Sequence, residues 1–179
     1  MQILLAFFFF VLSFQVTAQE TSGSRKATKA FKNAKSLLAI QDFNSAKVFL
    51  EEAIQLDHQF FEAWVLLGDV NLGMEDKYSA VSAYRNAVNL APNFSFPLYY
   101  RLATYEHAIG DYTEALIHIR KYLSQKKVSE KYRKKANALI KSCEFSINAM
   151  KSPVTFNPVN LGINVNSDAD EYLPALSAD

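Results

Sequence analysis

The chain has 179 residues, with 19 Lys and Arg against 18 Asp and Glu, so its formal net charge is +1. Half of the residues are apolar, which allows a substantial buried core and excludes a chain that is disordered throughout. The near-zero net charge indicates no particular class of partner, and the low numbers of Gly and Pro, five each, favour long helices over turn-rich β structure.

The N-terminal segment is an apolar run followed by small residues. Residues 3–12 are almost purely apolar, and Val, Thr and Ala occupy positions 16–18. This order is typical of a secretory signal peptide, so residues 1–18 are predicted to be removed by cleavage between Ala18 and Gln19. A membrane anchor is the alternative, but an apolar helix of about 12 residues spans about 18 Å, against about 30 Å of hydrocarbon. This mismatch in length favours export.

From residue 27 to residue 129 the sequence repeats itself at intervals of 34 and 35 residues. Small or apolar residues keep step in columns, among them Ala46, Ala80 and Ala115; Ala53, Ala87 and Tyr122; Ala34, Gly68 and Ala103; and Leu50, Tyr84 and Ile119. Within each copy the apolar residues lie three, four and seven positions apart, which is the spacing of one face of an α-helix. The repeats are therefore predicted to be helical.

Each copy is divided near its middle by a polar turn, at Asp42, Asp76 and Asp111. Each copy is thus predicted to be a hairpin of two helices, and the small residues in the columns allow those helices to pack closely. One hairpin alone cannot bury its apolar face, so the copies must stack into a solenoid. The predicted hairpins are 27–60, 61–95 and 96–129.

These copies resemble the tetratricopeptide repeat. The second copy, FEAWVLLGDVNLGMEDKYSAVSAYRNAVNLAPNF, has the tryptophan, Leu-Gly pair, alanines, tyrosine and proline of that family at the expected spacings. The third copy, with RLATYEHAIGDYTEAL, is similar, whereas the first departs from the pattern at Asn33 and His58. The resemblance implies an all-α solenoid of three hairpins that binds other proteins and has no catalytic role.

The segments around the repeats have other predicted roles. Residues 19–26 form a linker, and residues 130–150 form an amphipathic helix that caps the last hairpin. Residues 151–179 contain Pro, Asn and Gly between alternating apolar positions, which predicts a β-type or irregular tail. This tail resembles the start of a WD40-like β-propeller that is truncated here.

The order of these modules resembles the N-terminal region of a Bacteroidetes envelope family. In that family an OmpA-like peptidoglycan-binding domain follows the propeller, and some members, the PorE-like proteins, belong to the type IX secretion or gliding apparatus. The resemblance implies a periplasmic, outer-membrane-associated protein. It also implies that peptidoglycan is bound only through a C-terminal domain that is absent from this chain.

The sequence contains no recognisable catalytic, cofactor or metal site. His58, His107 and His118 do not have the spacing of metal ligands on one helix face, and Cys143 is the only cysteine. Cys143 falls on the apolar face of the predicted cap and is expected to be buried. Neither a glycine-rich phosphate loop nor a nucleophile elbow is present. We therefore predict no enzyme activity, no cofactor and no bound metal.

The resemblance implies a partner-binding groove lined by the first helix of each hairpin. Alignment with the family selects nine residues, Lys35 and Leu38 from copy one, Val65, Asp69 and Leu72 from copy two, and Tyr100, Arg101, Thr104 and His107 from copy three. Their mixture of aromatic, apolar and charged groups suits an extended peptide or a helix from an envelope protein. The alternative for any one of them is ordinary exposed solenoid surface.

Charge is unevenly distributed, which supports a second hypothesis. Residues 120–141 contain nine Lys or Arg and one acid, whereas residues 51–76 contain seven acids and no Lys or Arg. This polarity predicts self-assembly into a homo-oligomer, or a clamp on a membrane complex, if it is more than a solvated face. Nucleic acid is not an expected partner, because the protein is predicted to be exported and few aromatic residues lie among the Lys and Arg residues of this stretch.

Overall fold

The computed structural model describes residues 24–93 and 96–152, and every regular element in that part of the chain is an α-helix. The helices are α1 (Arg25–Leu38), α2 (Phe43–Leu56), α3 (Phe61–Gly73), α4 (Lys77–Leu90), α5 (Phe96–Ala108), α6 (Tyr112–Leu123) and α7 (Glu130–Lys151). Each helix packs against the next, so three hairpins form and α7 lies on α6. The predicted all-α solenoid of three hairpins and a capping helix is confirmed for these residues.

Two predicted segments lie outside the described residues. They are the signal peptide, residues 1–18, and the β-type tail after Ser152. Lys151 was assigned to the tail from the sequence, but it is the last residue of α7. The helix ends there because Pro153 disfavours helical backbone in the residue before it.

The first helix begins earlier than the repeat spacing predicted. It starts at Arg25, inside the predicted linker, because the Ser24 side chain accepts a hydrogen bond from the backbone N–H of Ala27 at 3.4 Å and caps the helix. Within the described ranges, no helix combines the length and the apolar character needed to cross a membrane.

The turn inside each hairpin has the same geometry in all three copies. One residue has a positive φ, at Gln41 (60°), Glu75 (62°) and Gly110 (86°). The next residue donates its backbone N–H to a carbonyl five positions earlier, in the pairs Asp42 to Leu37 (3.0 Å), Asp76 to Asn71 (2.9 Å) and Asp111 to Glu106 (2.8 Å). This arrangement is a Schellman-type cap, which ends the first helix and reverses the chain.

The same aspartates begin the second helices. The carboxylate of Asp42 accepts the backbone N–H of Ser45 at 3.1 Å, and that of Asp76 accepts the backbone N–H of Ser79 at 2.9 Å. Hydrogen bonds from these serines lower the pKa of both carboxyl groups, and the side chain of the serine has a larger effect than its backbone N–H. Asp111 makes no such cap bond, so its side chain is available for a different contact.

The core is made where the columns of small residues meet large ones. Ala34, Gly68 and Ala103 are buried on the first helix of each hairpin. Gly68 lies directly against the ring of Tyr84, which is fully buried. Tyr84 belongs to the predicted column with Leu50 and Ile119, and its ring fills the space that the glycine leaves open.

The capping helix closes the last hairpin through a short apolar stripe. Ala136 and Cys143 are fully buried, and Leu139 and Ile140 pack partly against the core of the second and third hairpins. Burial raises the pKa of the Cys143 thiol. Cys143 therefore acts as a small packing residue, as expected from its position in the sequence.

Candidate partner-binding groove

Eight of the nine predicted residues occupy equivalent positions on α1, α3 and α5, and the ninth, Arg101, follows Tyr100 on α5. Lys35, Asp69 and Thr104 share one repeat position, and the intervals between them are the same 34 and 35 residues that relate the copies. We refer to the surface formed by all nine as the groove face. Equivalent positions lie on one side of the solenoid, because corresponding residues of stacked repeats share a face.

Asp69 and Arg101 form the polar centre of the groove face. The Asp69 carboxylate of α3 forms an ion pair with the Arg101 guanidinium of α5. It also accepts a hydrogen bond of 2.5 Å from the Tyr84 hydroxyl of α4. The Arg101 guanidinium lies 5.7 Å from the centre of the Tyr84 ring, within the range of a cation–π contact. These contacts join the second hairpin to the third.

Burial and the hydrogen bond to Asp69 determine the ionisation of Tyr84. Burial is the larger cause and the hydrogen bond adds to it, so the pKa of the Tyr84 hydroxyl is raised above its ordinary range. The hydroxyl therefore remains a neutral donor to Asp69 at physiological pH. The side chains of Asp69 and Arg101 are 40% and 46% exposed, so a partner can reach both charged groups.

Apolar side chains lie on either side of this polar centre. Leu38 is half-buried against the core of the first two hairpins. Val65 and Leu72 are half-buried against the core of the second and third hairpins. A cavity of about 430 Å³ opens beside Leu72 and is also lined by Glu75, Lys77 and Tyr105. This cavity is large enough to receive one apolar side chain of a partner.

The α1 end of the groove face is basic. Lys35 is exposed, and its Nζ lies 5.9 Å from the centre of the Phe31 ring. Helix α1 carries five Lys or Arg residues and no Asp or Glu. All five are exposed. This end of the groove face therefore favours a negatively charged group.

The third-hairpin end of the groove face is partly covered by α7. The Tyr100 ring packs edge-on against the Tyr132 ring of α7, with ring centres 5.6 Å apart. His107 Nε2 lies 2.8 Å from the Ser142 hydroxyl of the same helix. Thr104 remains exposed between them and donates its hydroxyl to the Tyr100 carbonyl. Two of the nine predicted residues, Tyr100 and His107, are thus engaged by α7.

Sequence reasoning missed two buried residues that support this surface from the core side. Tyr84 was assigned to the core alone, although its hydroxyl reaches Asp69. Phe31 was omitted, although it lies 34 residues before Val65 and 69 before Tyr100 and so completes their column. The repeat interval was the signal that could have identified Phe31. No interval identifies the hydroxyl contact, because the equivalent positions hold Leu and Ile.

A buried charged cluster lies behind the groove face, on the side of the core. Glu106 of α5 is fully buried and accepts hydrogen bonds from Arg85 Nε at 2.8 Å and from His118 Nδ1 at 2.7 Å. Arg85 also donates to Asp111 at 2.5 Å, which explains why Asp111 does not cap its own helix. The carboxylate is enclosed and fully paired, so this cluster holds α4, α5 and α6 together rather than offering a reactive site.

Metal binding has no visible basis in the part of the chain that the model describes. Residues 24–93 and 96–152 contain no group of three or more His, Cys, Asp or Glu side chains placed to hold a metal ion. His107 and His118 belong to different helices and engage Ser142 and Glu106, respectively.

Comparison with known proteins identifies the fold. Residues 61–94, the second hairpin, match the tetratricopeptide repeat family. The first repeat domain of Spaghetti (RPAP3) bound to the HSP90 peptide SRMEEVD superposes with a TM-score of 0.57 at 13% identity, over 72% of this chain and 98% of that one. No curated protein is significantly similar in sequence.

Two further solved structures show the same architecture. The TPR2B domain of yeast Sti1, in a complex with pHsp70, has a TM-score of 0.55 and 18% identity over 68% of this chain and 98% of that one. The Yersinia enterocolitica type III secretion chaperone SycD, with a peptide of the translocator YopD, has a TM-score of 0.56 and 12% identity over 69% and 96%. At these identities the likeness establishes the tetratricopeptide-repeat fold and nothing finer.

Proposed function

We propose that this chain is a non-catalytic protein-interaction module that binds a peptide segment or a helix of its partner on the groove face. The observation that carries the proposal is the accessible Asp69–Arg101 ion pair between α3 and α5. Half-buried Val65 and Leu72 lie one turn before and one turn after Asp69 on α3. A surface with directional polar groups and apolar recesses is suited to peptide recognition. Three complexes support this use of the fold. RPAP3 is bound to an HSP90 peptide, SycD is bound to a peptide of YopD, and the TPR2B domain of Sti1 is in a complex with pHsp70.

The geometry favours a ligand that lies over α1 and α3 and reaches only the exposed Arg101 and Thr104 of α5. At the third hairpin, Tyr100 and His107 are engaged by α7. At the other end Lys35 offers a cation, and between the two lies the cavity beside Leu72. The ligand is therefore a segment with an acidic residue near α1 and an apolar residue that enters the cavity.

Site-specific photo-crosslinking in cells that make the protein tests this proposal. A benzoylphenylalanine in place of Lys35, Leu72 or Thr104 is expected to trap the same partner. The matched controls carry the photoreactive group at exposed positions of α2 and α4, Val48 and Ser82. A partner trapped equally at the control positions, or only there, would remove the groove face from the proposal.

We also propose that the module works in the cell envelope after export. The support is the apolar run at residues 3–12, followed by small residues at 16–18. The finer assignment, to a protein of type IX secretion or gliding that is associated with the outer membrane, rests on the order of modules alone. Mass spectrometry of the protein from its native cells tests the first step. A mature N-terminus at Gln19 is expected, and an intact Met1 in a cytoplasmic fraction would contradict export.

A second candidate function, charge-driven self-assembly, is favoured by the exposed charges. Glu51, Glu52 and Glu75 are exposed on the acidic middle of the chain, whereas α1 and α7 present exposed bases. Head-to-tail contact between two molecules of the protein would bring the acidic middle of one against the basic helices of the other. Sedimentation velocity at low and at high salt tests this candidate. Oligomers that dissociate as salt rises are expected, and a monomer under both conditions would eliminate self-assembly.

A further inference from the structure

The outer side of α7 carries an exposed stripe that faces away from the hairpins. Its members lie three or four positions apart and are all exposed, namely Lys134, Ala138, Lys141, Phe145 and Ala149. We refer to these residues as the outer stripe. Phe145 is 74% exposed, more than any other aromatic side chain in the described ranges. The stripe is basic towards the start of the helix and apolar towards its end.

The six Lys and Arg residues of α7 outnumber its two acids, although one of these acids, Glu130, lies one turn before Lys134 of the outer stripe. Lys131 and Lys135 flank Lys134 and are also exposed. Of the two acids on α7, Glu144 is paired with Arg120 of α6 at 3.0 Å. An exposed aromatic ring on the same helix face as an excess of exposed bases is the kind of surface that a complementary acidic and apolar segment covers.

The segment that follows α7 has this complementary composition, in the matching order. Residues 153–179 contain four acids and no Lys or Arg. Apolar residues alternate with polar ones through residues 154–165, and three of the acids, Asp168, Asp170 and Glu171, come afterwards. If the segment turned back along α7, its apolar half would meet Phe145 first and its acids would then reach the lysines.

We propose that residues 153–179 dock on the outer stripe of α7, with the apolar half on Phe145 and the three acids on the lysines. The reach is sufficient. Sixteen residues from Ser152 to Asp168 span up to about 53 Å when extended, whereas Lys134 lies about 27 Å back along the helix. The direct covalent connection also gives the segment a high effective concentration at the stripe, in the millimolar range that is typical of short linkers.

Docking of this segment has a consequence for partners. The basic surface of α7 is covered by the protein's own acidic segment, so an acidic partner must displace it before it binds there. The groove face on α1 and α3 stays open, because the outer stripe faces away from the hairpins. This inference therefore stands independently of the proposed function of the groove face.

Paramagnetic relaxation in the full chain tests the proposal. A nitroxide is attached at position 167 by the Ser167→Cys substitution, and backbone amide signals are compared with and without reduction of the label. Cys143 is fully buried, and mock labelling of the unsubstituted chain checks that it does not react. We expect a several-fold loss of signal at Lys134, Lys135 and Lys141, and no loss at Ser82 on α4.

Charge exchange shows whether the contact is the one proposed. Reversal of Asp168, Asp170 and Glu171 to Lys is expected to restore the α7 signals, and combining it with Lys131→Glu, Lys134→Glu and Lys135→Glu is expected to broaden them again. Lys131, Lys134 and Lys135 are exposed, and circular dichroism checks that the fold is retained. Signals unaffected by the label would overturn the proposal. Broadening that grows with protein concentration would also overturn it, because a second copy would then be the occupant.

Discussion

Gly68 and Tyr84 are matched to each other across the second hairpin. A Cβ atom built on Gly68 would lie 2.3 Å from Cε1 and 2.5 Å from Cδ1 of the Tyr84 ring. Real Cβ atoms do not approach so closely, and the ring cannot retreat, because it is fully buried and its hydroxyl is bonded to Asp69. The other two hairpins have Ala opposite a smaller residue, in the pairs Ala34 with Leu50 and Ala103 with Ile119.

This relationship predicts a non-additive pair of substitutions. Gly68→Ala should lower the free energy of unfolding by about 2–3 kcal/mol, because the added methyl group overpacks the hairpin. In the background of Tyr84→Ile, which recreates the pair of the third hairpin, the same substitution should cost less than about 1 kcal/mol. Urea denaturation of the two single variants and the double variant measures the coupling. Equal costs in both backgrounds would contradict the steric account.

The buried carboxylate of Glu106 predicts a second large effect. Glu106→Ala should lower the free energy of unfolding by about 3 kcal/mol, the lower end for a broken buried ion pair, because Arg85 is partly open to solvent. Glu106→Gln retains the shape and part of the hydrogen bonding and is the matched control, with a smaller expected loss. Thermal denaturation of both variants measures the difference. Identical losses would show that packing, rather than charge pairing, holds this junction.

The repeat interval predicted most of the fold because each copy has the same pattern of packing residues and turn residues. The columns through Ala46 and Ala53 specify which helix faces touch, and the aspartates mark the turns. The same interval placed Lys35, Asp69 and Thr104 at one structural position. Contacts between copies were not predictable in this way, because residues with no counterpart in the other hairpins make them.

Arg101 and Glu106 illustrate these limits. The Arg101–Asp69 pair joins residues 32 positions apart in copies three and two, and the equivalent residues of copies two and one, Leu66 and Lys35, cannot form an ion pair. The contact between Tyr100 and α7 depends on a helix outside the repeat, so the repeat columns could not predict it. Glu106 occupies the repeat position of Leu37 and Asn71. A single acid in a helical pattern is ordinarily interpreted as part of a solvent-exposed face, so the sequence did not indicate that this one is buried.

The shared turn geometry predicts that glycine is favourable in the turns of the second and third hairpins, so adding it in one and removing it from the other should have opposite effects. Glu75 adopts a φ of 62°, which is costly for a residue with a side chain, so Glu75→Gly should raise the free energy of unfolding by up to about 1 kcal/mol. Gly110→Ala should lower it by about 1 kcal/mol. No atom lies within 4 Å of a Cβ on Gly110, so that cost is one of backbone conformation alone. Chemical denaturation measures both, and shifts of the same sign would contradict this account.

The helix cap at Asp76 predicts a pH-dependent contribution to stability. Asp76→Ala should cost about 1 kcal/mol at neutral pH, because the N–H of Ser79 loses its acceptor. Hydrogen bonds from Ser79 lower the pKa of the Asp76 carboxyl in the folded state below the ordinary value of 3.8. The charged part of this contribution is therefore present above that value and is lost as the pH falls through the lower pKa of the folded state.

Denaturation of the wild-type protein and two variants between neutral pH and pH 3 measures this dependence. The difference between wild type and Asp76→Ala should shrink in acid. Asp76→Asn keeps an acceptor without a titratable group, so its difference from Asp76→Ala should change little with pH. A constant gap between wild type and Asp76→Ala at every pH would assign the whole effect to the neutral hydrogen bond.

The last prediction separates binding from stability at the centre of the groove face. Asp69 and Arg101 are both more than a third exposed, and exposed ion pairs contribute only about 0–1 kcal/mol. Arg101→Ala combined with Asp69→Lys should therefore lower the free energy of unfolding by only about 1–2 kcal/mol, and the lost hydrogen bond from the Tyr84 hydroxyl to Asp69 accounts for about 1 kcal/mol of this. The partner that is trapped at Leu72 should nevertheless be lost, because reversal of the central charge changes what the groove accepts. An unchanged yield of that crosslink in a stably folded variant would mean that the pair joins hairpins and takes no part in recognition.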